Sequence, residues 1–336
     1  MSTVAAGPRP ETGQDAGARG RALEAARRVP HAAWPLVVFA ILFVAGGIVR
    51  PNLLTLEALW GTAAFAMIMA IASAGQTLAV IQGGIDLSVP NTITLSALTF
   101  LSAVDRLGAF GAFVAAIAAG ALVGVLNGTI IAKLELSPIV TTIAMNGFLF
   151  GVVLLTFDFS QLTDIPAFAH DITAAKIGFL GTEVAAVVPV GLALLLALQA
   201  LLSWTGWGRS LFLVGAAPDV AALAGQPVDR IRITAYALSG ALAAFAGIVI
   251  VGFYAQTSTG MGAPYLLGSV AAVVVGGASI FGGRGSMIGT LGGALVLGQV
   301  ATLVAVANLG VNIQQLIYGV IILAVVALYG RRATER

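Results

Sequence analysis

The chain has 336 residues and a net charge of +2, with 59% hydrophobic residues against only 9% charged. Soluble domains carry about 25% charged residues, so polar groups cannot cover this surface in water, and the solvent it expects is lipid. The absence of cysteine excludes a disulfide framework, a thiol nucleophile and a thiolate metal site; two histidines, His31 and His170, are too few and too far apart for a metal cluster.

Residues 1–32 are polar and rich in Gly, Pro, Ala and Arg, without apolar periodicity, and read as a disordered cytoplasmic tail. The apolar run that follows is too long and too late for a cleaved signal sequence. A crossing helix needs about 20 apolar residues. Ten segments meet or approach this length: Ala33–Val49, Ala58–Ile81, Ser88–Val104, Leu107–Ile131, Ile139–Phe157, Val184–Leu202, Ile233–Tyr254, Tyr265–Phe281, Met287–Ala307 and Val311–Tyr329. Ser88–Val104 and Tyr265–Phe281 are near the minimum, which leaves nine or eleven as alternatives. The expected fold is an all-α integral membrane domain over residues 33–330, closed by a short basic tail, 331–336.

Basic residues set the orientation. With ten spans and the amino terminus inside, Arg9, Arg19, Arg21, Arg27, Arg28, Lys133, Arg209, Arg230, Arg232, Arg284, Arg331, Arg332 and Arg336 fall inside. Only Arg50, Arg106 and Lys176 fall outside. Both termini are then cytoplasmic, and an odd number of spans would put one basic tail on the wrong side. The tetrapeptide GALV occurs at Gly120 and at Gly293, each sixteen residues before a leucine that opens a similar apolar stretch, Leu136 and Leu309. The two helices run in opposite directions in this topology, as in an inverted repeat.

No span carries Asp, Glu, Lys, Arg or His near its middle; the polar groups there are neutral, among them Asn127, Asn146, Gln199 and Gln299. Proton- and sodium-driven carriers commonly place ionisable groups at that depth. Each neutral group taken singly reads as helix–helix hydrogen bonding. Together, Asn127, Asn146 and Gln299 are candidates for lining the path of a neutral, hydroxyl-rich solute. A phosphate-binding loop needs lysine after glycine, but Lys133 and Lys176 both follow alanine. Energy for uphill transport must therefore come from another subunit.

The inner loop 203–232 is where such a subunit would dock. Within it, Pro218 opens a short helix, Asp219 sits beside its positive end, Gly225 stops it, and Val220 and Leu223 share a face. Two turns of helix are not stable alone in water. The segment either binds a partner or lies on the lipid headgroups. In "GGIDLSVP", Gly83 and Gly84 permit a tight turn, while Asp86 and Ser88 can accept hydrogen bonds from the N–H groups that open the next helix. Arg284, in the Gly282–Gly283 turn on the same side, is a possible partner for Asp86. Gly285, Gly289 and Gly293 recur every four residues and lay a bare stripe on one helix face for close packing.

These stretches, "GGIDLSVP", "GAAPDVAALAG" and "GGASIFGGRGSMIGTLGGALVLG", resemble the permease subunits of bacterial ABC sugar importers, in particular the ribose-type branch that also serves xylose, arabinose and galactose. The likeness runs from about Ala33 to Tyr329. It implies a non-catalytic, multi-pass protein of the cytoplasmic (inner) membrane that pairs with a second permease copy, as a homodimer or a paralogous heterodimer. It further implies a cytoplasmic ATPase carrying ATP and Mg²⁺, an extracytoplasmic solute-binding protein, no cofactor on this chain and no nucleic acid. The chain departs from the family at Pro90, where glycine is usual, and at Ala217, where asparagine would cap the short helix at a gain of roughly 1 kcal/mol. Alternatives are a permease for nucleosides or branched-chain amino acids, and a stand-alone secondary carrier. A membrane enzyme lacks support, since the spans hold no paired carboxylates or histidine cluster.

Overall fold

A computed structural model describes residues 34–157, 165–179 and 181–334. The amino-terminal tail expected over residues 1–32 lies outside them. Twelve α-helices are present among the described residues: α1 (Trp34–Val49), α2 (Leu56–Ile81), α3 (Val89–Lys133), α4 (Pro138–Thr156), α5 (Ala167–Ala174), α6 (Val187–Trp204), α7 (Gly206–Ala216), α8 (Pro218–Leu223), α9 (Val228–Tyr254), α10 (Tyr265–Val275), α11 (Met287–Val306) and α12 (Val311–Thr334). Two short strands, β1 (Lys176–Phe179) and β2 (Thr182–Ala185), form an antiparallel hairpin between α5 and α6. Six of the helices are long and apolar enough to cross a membrane: α2, α3, α4, α6, α9 and α11.

The α3 segment combines two expected spans. Its backbone leaves the helical region at Gly108, with φ 70° and ψ 172°. Before that point the chain runs alongside α9 in the same direction, with Asp86 at Ser239 and Ile93 against Gly247. After it, Gly120, Gly124 and Gly128 meet Gly240, Tyr236 and Ile233 in reverse order. The chain therefore turns back at Gly108, and two antiparallel legs embrace α9.

Two expected boundaries move. The segment Tyr265–Phe281 is helical only to Val275. At 1.5 Å per residue those 11 residues rise about 16 Å, half of a ~30 Å hydrocarbon core. The helix stops at Gly276–Gly277 because Gly277 takes φ +87° and the Ala278 N–H turns back to the Val273 carbonyl at 3.1 Å. Gly83 ends α2 in the same way, with φ +87° and the Gly84 N–H on the Ala79 carbonyl at 2.9 Å. The second change is at Val184, which lies in β2; α6 starts only at Val187. At the carboxyl end, α12 continues to Thr334, into the stretch expected as a tail.

Helix boundaries recur at a fixed interval. The end of α2 (Ile81) and of α9 (Tyr254), the end of α3 (Lys133) and of α11 (Val306), and the start of α4 (Pro138) and of α12 (Val311) are each 173 positions apart (254 less 81).

The core is built around α2, whose residues from Ala66 to Ile81 are all buried. Helices α6, α9, α10 and α11 surround it. Small residues allow this. A Cβ on Gly124 would overlap the Tyr236 carbonyl, and one on Gly293 the Ala272 carbonyl. Gly147 and Gly151 on α4, by contrast, have open space where a Cβ would stand. We expect Gly124→Ala and Gly293→Ala each to cost about 1–3 kcal/mol through overpacking, and Gly147→Ala and Gly151→Ala to cost nothing, since Ala is the better helix former. Melting curves of the purified variants in detergent check this; equal losses in both pairs would mean that close backbone approach is not what holds the helices.

Candidate functional site

The ends of the helices form two concave regions on opposite sides of the bundle. One collects the ends of α2 and α3 and the starts of α4, α8 and α9. It is a cleft of about 580 Å³ whose walls include Gly83, Gly84, Ser137, Pro218, Asp219 and Arg232. Beside it, Lys133 at the end of α3 pairs with Asp229 at the start of α9 at 2.6 Å; both are well exposed.

Helix α8 borders this cleft. Pro218 occupies its first turn, Ala217 precedes it without any side-chain cap, and Gly225 follows with φ +77°. Ala221 faces inward and is fully buried, whereas Val220 is 56% and Leu223 89% exposed. The loop behind it is tied down by Ser210 Oγ donating to Gln226 Oε1 at 2.6 Å. Asp219 is exposed at the amino end of α8. The sequence expectation of one apolar face on Val220 and Leu223 therefore corresponds to a surface with no protein over it in this chain.

Asp86 is not at the edge of the molecule. It is 3% exposed, in the turn between α2 and α3. Its Oδ1 accepts the Ser88 N–H at 3.0 Å and the Ser88 hydroxyl at 2.6 Å, and its Oδ2 accepts the Ser239 hydroxyl from within α9 at 2.8 Å. Ser88 does not cap α3 with its own oxygen: its backbone is already in the helical region, and its hydroxyl is turned onto Asp86. The suggested partner, Arg284, is exposed and is not among the groups bonded to the carboxylate. Three hydroxyl and amide donors satisfy Asp86 instead.

The Gly282–Gly283 turn packs on the same region. Gly283 N–H donates to the Ile81 carbonyl at 2.8 Å, and Gly282 lies against the Gly215 carbonyl at the end of α7. Gly84 faces the Tyr236 hydroxyl. Gly285 faces the Ile81 side chain, while Gly289 faces Gly276, just past the end of α10, and Gly293 faces Ala272 within it. The motif glycines thus knit α2, α7, α10 and α11 together, and Gly83 and Gly84 also line the cleft.

The neutral polar residues are dispersed. Asn127 donates through Nδ2 to Ser88 Oγ at 2.9 Å, inside the Asp86 cluster. The Asn146 carbonyl accepts Asn91 Nδ2 at 2.8 Å, which ties α4 to α3. Gln299 accepts the Thr62 hydroxyl at 3.4 Å, and its amide nitrogen lies near Gly46 of α1. Gln199 accepts the Met287 N–H at 2.8 Å and so caps α11 from the side of α6. Among the described residues, Asn127, Asn146 and Gln299 each bond to a different neighbour.

A second cavity, of about 420 Å³, opens on the opposite side, among the start of α2, the ends of α9 and α11, and the starts of α10 and α12. Its lining includes Phe65, Tyr254, Tyr265, Thr302, Gln314 and Tyr318, and no charged side chain. Near it on that side, the β1–β2 hairpin is fixed to α2 by Trp60 Nε1 donating to Thr182 Oγ1 at 3.0 Å. Lys176 and Glu183 cross the hairpin at 2.6 Å, and this hydrogen bond raises the lysine pKa. The sequence pattern missed this cavity because its residues come from five segments. It also missed Ser239 as the partner of Asp86, for which sequence gives no signal across 153 positions. The Gly120–Gly124–Gly128 stripe was detectable by the same spacing as the one on α11.

A family model for the branched-chain amino acid transport system / permease component matches residues 58–326. The chain is 32% identical over 312 residues to the fructose import permease protein FrcC of Rhizobium meliloti, covering 88% of this chain and 84% of that protein. It is 30% identical over 300 residues to the ribose import permease protein RbsC of Escherichia coli (strain K12), covering 88% and 93%. It is 30% identical over 302 residues to the autoinducer 2 import system permease protein LsrD of Salmonella paratyphi A, covering 87% and 88%. With six helices long and apolar enough to cross a membrane and matched relatives over nearly nine-tenths of its length, this chain is a multi-pass membrane protein that belongs to the branched-chain amino acid transport system permease component family.

Proposed function

We propose that the chain is the permease subunit of an ATP-driven importer in the bacterial inner membrane, and that its solute is a small neutral molecule, a monosaccharide. The observation that carries the subunit reading is the exposed apolar face of α8, Val220 and Leu223, in a chain that has no phosphate-binding loop of its own. Val220 at 56% and Leu223 at 89% exposed, beside a charged cleft, offer an apolar face for another protein to cover. The relatives that import fructose, ribose and autoinducer 2 support a hydroxylated solute over an amino acid. The energy source is a cytoplasmic ABC ATPase, with ATP and Mg²⁺ bound there. A second permease copy, identical or paralogous, and an extracytoplasmic binding protein complete the assembly.

The topology that fits is ten crossings with both ends cytoplasmic. It counts the two legs of α3 separately and takes α10 with its flanking turns as one crossing, irregular backbone being tolerated where protein covers it. The two cavities support it: every segment lining the cleft is at an end this topology puts inside, and every segment lining the second cavity is at an end it puts outside. The recurrence of helix ends at 173 positions, between units of opposite direction, supports an inverted repeat.

In this reading the Pro218–Gly225 segment transmits ATPase motion, and Asp86 is a structural clamp. It joins the turn after α2 to α9 and contacts no solute. Glycines 83, 84, 282, 283, 285, 289 and 293 serve packing and turn geometry.

Three outcomes test these roles. Leu223→Asp is expected to leave insertion intact, weaken co-purification of the ATPase and abolish uptake in proteoliposomes; full uptake would assign α8 to the membrane surface. Single cysteines at Ala167 and Ala263 should react with an impermeant thiol reagent on spheroplasts, and one at Ala216 only after the membrane is opened. Reaction at Ala216 from outside would reverse the orientation. Asp86→Asn keeps an acceptor for Ser88, and its amide can donate to the Ser239 hydroxyl, so most uptake should remain. Asp86→Ala strands buried hydroxyls at about 1–3 kcal/mol and should reduce the folded protein recovered. An Asp86→Asn protein that folds fully and transports nothing would give the charge itself a function.

A further inference from the structure

The outer cavity is where the chain's uncharged polar and aromatic groups converge. Its volume of about 420 Å³ lies within the roughly 300–1,000 Å³ of small-molecule sites. Phe65 of α2 and Tyr254 at the end of α9 both line it and both keep exposed ring surface, 46% and 40%. Their centroids are 6.1 Å apart, with the planes tilted by 42°. Two such faces suit the C–H surfaces of a sugar ring.

The rest of the lining supplies hydrogen bonds in a fixed frame. Tyr318 is 1% exposed, and its hydroxyl donates to the Leu297 carbonyl at 3.0 Å. The same hydroxyl accepts Gln314 Nε2 at 2.9 Å. This chain orients the Gln314 amide and leaves it one further N–H and a carbonyl oxygen, a donor–acceptor pair matched to a hydroxyl. Thr302 adds a hydroxyl from α11, and Tyr254 and Tyr265 line the same space. A hydrocarbon tail in this space would leave these groups without hydrogen-bonding use. A zwitterion could place its carboxylate at the starts of α10 and α12, but the wall holds no acid for its ammonium group.

We infer that this cavity is a receiving subsite for the solute on the outer side of the permease, and that it binds one neutral cyclic polyol of monosaccharide size. Phe65 and Tyr254 stack on the ring, and Gln314, positioned by Tyr318, reads hydroxyls. The inference rests on the importer reading above and adds the residues that recognise the solute.

The chain has no native cysteine, so Ala305, an exposed residue of the cavity lining, can carry a single thiol. The full assembly reconstituted in proteoliposomes first establishes which of D-ribose, D-fructose, D-xylose, L-arabinose and D-galactose is imported with ATP. Maleimide labelling of the Ala305→Cys permease in nanodiscs is then timed with and without that sugar at tens of millimolar, and with L-leucine. The imported sugar should slow labelling at least threefold, and L-leucine should not. A control thiol at Ala216 should be unaffected by either. In Phe65→Leu and in Gln314→Leu backgrounds the protection should vanish while the unprotected rate is unchanged, and either background serves if the other fails to fold. Uptake of a sugar without any protection at Ala305 would overturn the subsite and leave the importer reading standing. Protection by L-leucine in place of sugar would overturn the polyol assignment. Import of none of the five sugars would sink the solute reading itself, and the subsite with it.

Discussion

The structure depends on backbones touching. In lipid there is no hydrophobic gain from bringing two apolar helices together, because the tails they leave are as apolar as leucine. Association must come from dispersion and short polar contacts, which require the helix axes to approach closely. Here the approach is set where a Cβ would not fit: Gly120 and Gly124 against α9, and Gly289 and Gly293 against α10. These contacts enclose α2, and an enclosed α2 fixes where its terminal turn, with Gly83 and Asp86, meets the other helices.

Polar groups in the bundle divide into two kinds by their partners. Asp86, Ser88, Asn127 and Ser239 bond to one another and hold three segments in register. Gln199 caps α11, and Gln299 reaches Thr62. Buried polar atoms are costly unless bonded, and each of these groups spends at least one bond on the scaffold, while Asn127 Oδ1 and Gln299 Nε2 have no partner among the described residues. The groups around the outer cavity differ. Phe65 and Tyr254 retain exposed surface, and Gln314 spends only one N–H on Tyr318.

The two cavities also differ in chemistry. The cleft beside α8 carries Asp219, Asp229 and Arg232, while the cavity at the other end of the bundle carries none of these charges. A charged rim next to an exposed Leu223 has the chemistry of a surface that meets a protein from water, and an uncharged cavity has that of a space for a neutral molecule. The recurring 173-residue spacing places comparable helix ends on opposite sides, and the loops then give each side its character.

Composition and apolar run length alone determined the membrane-spanning class, because a chain with 9% charged residues has no other stable solvent. Glycine spacing on α11, the Pro218–Gly225 helix and the Gly83 turn were likewise legible, since each rests on local backbone rules that act within a few residues. The hydrogen-bonding partner of Asp86 was not legible, nor the shortness of α10, nor the dispersal of Asn127, Asn146 and Gln299. Hydropathy measures how greasy a segment is, and it cannot tell a crossing helix from a half-helix whose remaining path is covered by protein. The second cavity came only from tertiary structure: Phe65, Tyr254, Thr302 and Gln314 lie on four helices, and only packing around α2 sets them around one space.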